Sequence, residues 1–416
     1  MQRIVVIGGG FAGLWAAAAA ARRLDELKSP SAAVRITLIN RDPWHSIRVR
    51  NYEQDLRDTR VPLADILDPI GVELALGEVV AIDTVRQAIR LSSGATHEYD
   101  RLVVASGSAL VMPAIEGLHQ HAFHVDTFNG GDALNRHIAA LGIRSSSEGR
   151  DTVLVIGAGL TGIEAACEMP GKLARAGIRN GRVILADALP TIGSDMGDEA
   201  RPIIEGALRD LGIEMRTGIR VEVVDGQGAT LADGKRIATE TLVWSAGVRA
   251  SPLAAMFAVG RDALGRLRVD ACMKVEGVAN VFAAGDIAAA VLDGVHTSVM
   301  SCQHGRPMGR YAGHNAVGDL LGQDMLPLRI ERYVTCLDLG PWGALYTEGW
   351  DRRVTMAGED AKRTKQTINR ERIYPPRSRD RREILDAAAP IIQAPPLQAN
   401  IATIMPRHAI ELDPRT

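Results

Sequence analysis

Residues 3–7 open on Arg3 and continue as a β-branched, apolar run, and glycine follows it at once. An alanine-rich stretch over 14–27 has the composition of a helix. A second apolar run, VRITLI, occupies 34–39. The pattern predicts strand–helix–strand, the βαβ unit of a parallel sheet with a right-handed crossover. It then begins again, with a strand over 152–156, a helix over 161–176 and a strand over 182–187. Two hairpin-like runs, 72–83 and 88–106, lie between the units, and 129–150 turns helical and then polar, as a linker would. A strand-rich run follows over 213–247, then a buried strand over 278–285 that ends in glycine. Past about 325 the pattern changes to short strands near 330–347 and a polar, arginine-rich segment. Residues 394–416 have little periodicity and read as a loose tail. The repeated unit is a whole domain, which excludes a solenoid.

Each unit carries the same loop between its first strand and its helix: IVVIGGGFAG at 4–13 and VLVIGAGLTG at 153–162. In Gly8-x-Gly10-x-x-Gly13 and Gly157-x-Gly159-x-x-Gly162 the first glycine allows the tight turn. The second lets a pyrophosphate approach the backbone, and the third lets helix and strand pack closely. The helix N-terminus aims free N–H groups at the phosphates. One such motif is weak evidence, but two in matching contexts predict an α/β fold with two Rossmann-like dinucleotide-binding domains. At the end of the strand after the second loop, Asp187 suits a ribose 2′-hydroxyl and repels a 2′-phosphate, so NADH is expected over NADPH. The first unit has the uncharged Asn40 at that place. Two loops in one chain fit a held flavin that takes hydride from a mobile nicotinamide.

Length and composition narrow the classes. A chain of 416 residues allows two or three domains with a large core. A net charge of −2 gives no field to recruit nucleic acid, and 4% aromatic residues supply no stacking platform. Cys167, Cys272, Cys302 and Cys336 are scattered, without a C-x-x-C pair, which fits a reducing, cytoplasmic setting. No signal peptide is read at the N-terminus, and no apolar run reaches the ~18 residues of a membrane span.

VVIGGGFAGL, RLVVASGS, VLVIGAGLTGIE, TLVWSAGVRASPL and VFAAGDIAA follow one another in this chain. In that order they resemble the flavoprotein pyridine nucleotide-disulfide oxidoreductases, and most of all the type II NADH dehydrogenases (NADH:quinone oxidoreductases). The likeness covers roughly residues 1–320. It implies FAD in the first domain and NADH in the second. Gly8, Gly10, Gly13, Asn40 and Arg41 would hold the ADP half of FAD, with Gly285 and Asp286 on its ribityl and phosphate part. Ser106 and Gly107 would lie at the crossing between domains. Gly157, Gly159, Gly162, Asp187 and Gly247 would hold NADH, and Glu164 matches the family's glutamate near the nicotinamide. The NADH domain would then be inserted in the FAD domain: FAD parts at 1–145 and 268–323, the NADH domain at 146–267, and a small α+β C-terminal interface region at 324–416.

The chain departs from the resemblance in four places. No C-x-x-x-x-C follows the first loop, which removes the redox dithiol of disulfide reductases. Where the family carries a segment like A-Q-x-A-x-Q-x-G, this chain reads CQHGRPMG over 302–309, so Gln303 matches the first glutamine and the second is lost. Cys336, in YVTCLDLG, resembles a reactive cysteine of sulfide:quinone oxidoreductases, although Glu164 stands where those place its partner. It is a thiol nucleophile or a small hydrophobe. Arg48 and Arg50, beside His45, bring charge where the family has none; they hold an anion or form a solvated edge. The expected partner is a small electron acceptor, a quinone or similar; sulfide or thiol oxidation and reduction of a protein carrier are the alternatives. The basic run over 370–382 reads as an exposed arm, packed on a second subunit of a homodimer or weakly attracted to the inner membrane face.

Overall fold

The computed structural model describes residues 1–30, 33–193 and 195–396. The tail expected over 394–416 therefore lies almost wholly outside the described residues. Two five-stranded parallel sheets organise the chain. The first is built on β1 (Gln2–Ile7), β2 (Val34–Asn40), β3 (Glu73–Leu76) and β4 (Arg101–Val104). The second is built on β5 (Ala122–Phe123), β6 (Thr152–Ile156), β7 (Arg182–Ala186), β8 (Ile213–Arg216) and β9 (Thr241–Trp244). The fifth strand of the first sheet, β10 (Val281–Ala283), comes from far down the chain and pairs in parallel with β4.

The strand orders are β10-β4-β1-β2-β3 and β5-β9-β6-β7-β8, the same layout twice. In each, the central strand runs straight into the glycine loop, so the loop sits at the carboxyl edge where such sheets bind ligands. The expected strand over 278–285 is trimmed to β10 because Asn280 (φ 62°) and Gly285 (φ 76°) turn the backbone out of the sheet at both ends. The run 72–83 is not one hairpin: its first half, β3, joins the parallel sheet, and its second half joins an antiparallel meander with 88–91 and 96–98.

The stretch expected as a linker holds α2 (Phe128–Leu141), capped by the Thr127 side chain. Leu134, Ile138 and Leu141 of this helix enter the core of the second sheet. The second sheet also claims β5, so its elements begin before residue 146. Helix α1 (Phe11–Glu26) packs on the first sheet and against α4 (Cys302–Leu321), which touches the same sheet, and its alanines 16–21 are all buried. Helix α3 (Leu160–Arg175) takes the equivalent place on the second sheet. The C-terminal region is an antiparallel sheet of β11 (Val334–Asp338), β12 (Ala344–Glu348) and β13 (Arg353–Gly358), followed by α5 (Glu359–Thr367) and α6 (Arg381–Ala387).

Candidate functional site

The two glycine loops are built alike, atom for atom in their tight places. Gly8 and Gly157 have φ near +103° and +102°, a conformation that side chains oppose. A Cβ on Gly13 would lie 1.8 Å from the Gly8 carbonyl oxygen, and one on Gly162 would lie 1.7 Å from that of Gly157. By contrast, a Cβ on Gly10 or Gly159 would meet nothing within 4 Å. The turn, the open approach and the close packing are thus each present twice. Neither α1 nor α3 has a side-chain N-cap, so their first N–H groups face the open space. In the first loop the Gly9 N–H donates to Asn40 Oδ1 at 2.9 Å. In the second, the Ala158 N–H donates to Asp187 Oδ2 at 2.6 Å. His45 lies beneath the first loop, fully buried, with Nδ1 2.9 Å from the Gly9 carbonyl oxygen. Burial pushes its imidazole down to about 4.

A cavity of about 990 Å³ opens from the first loop. It is lined by Gly8, Gly10, Asn40, Arg41, Ser106, Gly107, Gly285 and Asp286 of the expected flavin set, and by Glu164, Gln303 and Cys336. Gly13 is not on its wall, because it is packed under Gly8. Gly157, Gly159, Gly162, Asp187 and Gly247 are not on this wall; the second domain enters the cavity through Leu160, Thr161 and Glu164 at the start of α3 and through Trp244, Ser245 and Val248. The halves also join where strand Ser108–Leu110 pairs antiparallel with Val248–Ala250, just past Gly107 and Gly247.

At the far wall α3 meets the C-terminal sheet. Lys365 Nζ donates to Glu164 Oε1 at 2.7 Å and to the Cys336 carbonyl oxygen at 2.8 Å, and the Asp338 N–H donates to the same Glu164 oxygen at 3.1 Å. The carboxyl is pushed up by burial, against the pull of Lys365, while the attraction of Glu164 keeps the ammonium well above its ordinary value. The Gln303 amide, with its nitrogen turned to Val334, donates to the Val334 carbonyl oxygen at 2.7 Å and accepts from its N–H at 3.3 Å. Gln303 thereby ties the start of α4 to β11. Lys365 and Asp338 carry no sequence signal of their own, and only the packing of α5 and β11 against α3 brings them here.

A family model described as pyridine nucleotide-disulphide oxidoreductase matches residues 2–309. This chain belongs to the pyridine nucleotide-disulphide oxidoreductase family. It is 54% identical over 400 residues to a NADH dehydrogenase-like protein of Mycobacterium tuberculosis, covering 95% of this chain and 100% of that one. It is 31% identical over 323 residues to a type II NADH:quinone oxidoreductase of the same organism, covering 69% of this chain and 66% of that one. The solved structure of NDH2 from Plasmodium falciparum in complex with NADH has the same fold, with a TM-score of 0.75 at 12% identity, over 94% of this chain and 99% of that one.

Within this oxidoreductase family the chain has no disulfide: all four cysteines are free. Cys336, expected as a candidate nucleophile, is pushed up to about 12 by burial, so it is a thiol at neutral pH and a poor nucleophile. Cys167 is buried behind it and is also held above its ordinary value by burial. Arg48 and Arg50 are not a solvated edge. Arg48 pairs with Asp126 and lies 3.7 Å from Asp286, whose Oδ2 accepts from Ser108 Oγ at 2.6 Å. Arg50 is buried, bidentate on Glu53 at 2.7 and 2.8 Å, and donates to the Tyr374 hydroxyl at 2.5 Å. The basic run is not a free arm either. Arg377 pairs with Asp58, Arg379 with Asp65 and Arg381 with Asp25, all in the first domain of the same chain. No helix among the described residues is long and apolar enough to cross a membrane.

Proposed function

We propose that this oxidoreductase is an FAD-dependent NADH dehydrogenase that passes electrons to a quinone-like small acceptor. The observation that carries it is the pair of matching glycine cradles, one opening into a cavity that the second domain also lines. FAD held by the first cradle would supply the hydride-accepting and electron-donating chemistry between nicotinamide and acceptor. Gly8, Gly10, Gly13, Asn40 and Arg41 are assigned to its ADP half, and Ser106, Gly107, Gly285 and Asp286 to its remainder. Arg48 pairs with Asp126 there and lies 3.7 Å from Asp286. Gly157, Gly159, Gly162, Asp187 and Gly247 are assigned to NADH. Glu164 is assigned a proton-holding role at the cavity wall, with Lys365 as its counter-charge and Gln303 as the strut that fixes α4 against β11.

The visible spectrum of the purified protein, before and after anaerobic NADH, tests this. A yellow protein that bleaches with NADH and regains colour with 2-methyl-1,4-naphthoquinone is the expected result. A yellow protein that NADH leaves unchanged would overturn the assignment of the second cradle. Sulfide oxidation through Cys336 is disfavoured by its neutral thiol and by Glu164 standing where a second cysteine is needed.

A further inference from the structure

Helix α4 carries two arginines that the reading above does not use. Arg306 is 7% exposed and Arg310 is 2% exposed, yet both line the cavity. The Nε of each is buried without a hydrogen-bond partner among the described residues. Among the described residues no carboxylate stands beside either; their cationic neighbours are Arg372 for Arg306 and Arg306 for Arg310. Burial pushes them down, to about 10 and about 9, which leaves both cationic at neutral pH. Both stack on Trp15 of α1, with Cζ 5.5 Å and 4.3 Å from the ring centroid. A cation–π contact offsets only part of a buried charge and offers no hydrogen-bond acceptor. Burying an unpaired charge costs more than such a contact returns. Among the described residues this positive charge on the cavity wall is therefore uncompensated, and an anion is the group that would balance it.

The place of this charge says which anion. Gln303, Arg306 and Arg310 stand at i, i+3 and i+7 on α4, on one face. They span roughly 10 Å along the axis. The same cavity is lined by the aromatic or aliphatic Tyr333, Val334, Ile368 and Ile373, with Lys365, Asn369 and Arg372 among them. A flat ring laid on the apolar side chains would carry its acidic substituent to the arginines. A long, uncharged hydrocarbon tail in the same space would leave both cations beside apolar atoms.

We infer that Arg306 and Arg310 form an anion subsite of the acceptor pocket, which selects a bicyclic aromatic acceptor bearing a carboxylate. The inference rests on the acceptor reading above and adds the chemical class of the acceptor.

The test is isothermal titration of the FAD-loaded protein, without NADH, with 2-naphthoate and with the uncharged 2-naphthamide. The expected result is at least tenfold tighter binding of the naphthoate, lost in Arg306→Met/Arg310→Met and largely kept in Arg310→Lys. Equal binding of the two probes, or a preference that survives the double variant, overturns the inference. It is also overturned if bound FAD itself occupies the arginines and naphthoate does not bind. Because the methionine variant can fail to fold, a second measurement uses the unaltered protein: the bromine of 6-bromo-2-naphthoate is located in crystals by anomalous scattering. Density with the carboxylate on Arg306 and Arg310 supports the subsite, and density elsewhere sinks it. Bleaching by NADH, read on the same preparation, reports on the dehydrogenase reading alone, so the two fail separately.

Discussion

Asn40 and Asp187 occupy the same place in two copies of one loop, and each accepts an N–H from the residue after the first glycine. The chain thus contains its own control. Asparagine is known to hold such a loop, since it does so in the first domain, so Asp187→Asn is expected to fold normally. It removes only the charge. Loss of a charge-assisted hydrogen bond to a ribose hydroxyl costs about 1.5–3 kcal/mol. The preference for NADH over NADPH is therefore expected to fall roughly ten- to hundredfold, read as the ratio of kcat/KM values. An unchanged ratio would mean that the carboxylate serves the loop and not the nucleotide. For Cys336, half-buried and neutral, substitution by serine is expected to leave NADH turnover within about twofold, since no thiolate is available at neutral pH. A collapse of turnover in a folded Cys336→Ser protein would restore the thiol chemistry. Glu164 was visible in the sequence. Its partner was not, because Lys365 lies 201 positions away, and no local pattern spans that separation.

At the scale of elements, α1 and α4 pack with almost no space between backbones. A Cβ on Gly309 would lie 2.1 Å from the Ala12 carbonyl oxygen, and one on Gly313 would lie 1.9 Å from that of Ala16. Backbone atoms cannot yield as a flexible side chain can, so Gly313→Val is expected to cost at least about 2 kcal/mol, measured by urea unfolding. FAD content should fall with it, because α1 carries Gly10 and α4 carries Gln303. A valine variant of normal stability would mean that the helices are looser than this contact implies. The alanine run of α1 foretold a helix but not its neighbour: alanine packs equally well on a sheet or on a helix. Segment 129–150 was mistaken for a linker because its polar end hides an amphipathic helix whose leucines and isoleucine enter the second core. The basic run was mistaken for an arm because charge pattern alone cannot show that Asp25, Asp58 and Asp65 wait on another domain.

For the molecule as a whole, the core holds histidines that cannot be charged. His45, His304 and His314 are each 5% exposed or less, and burial pushes each down to about 4. Below the ordinary histidine value of about 6.5 the unfolded chain takes up protons that the folded chain refuses. Stability is then full above about pH 6.5 and is lost as the pH falls toward 4. Each unit of depression is worth about 1.4 kcal/mol, so His45 alone accounts for on the order of 3 kcal/mol. Urea midpoints measured from pH 7.5 to 4.5 should fall, and His45→Gln should flatten the slope. A flat profile in the parent protein would show that these imidazoles find water or a proton in the folded state.

The sequence by itself determined the two loops, their order, the family they mark and the residue type at each strand end, because those features depend on neighbours a few positions apart. The φ of Gly8, the open approach at Gly10 and the crowded packing at Gly13 are local demands, and local demands leave a local pattern. The tertiary structure alone decided what faces the cavity from outside the loops. It returned β10 to the first sheet, brought Lys365 to Glu164, turned Arg48 and Arg50 into paired groups, and left Arg306 and Arg310 without a carboxylate among the described residues. Charge compensation acts through space over a few ångströms, whatever the distance along the chain, so the sequence shows the charges and only the fold shows which of them are balanced.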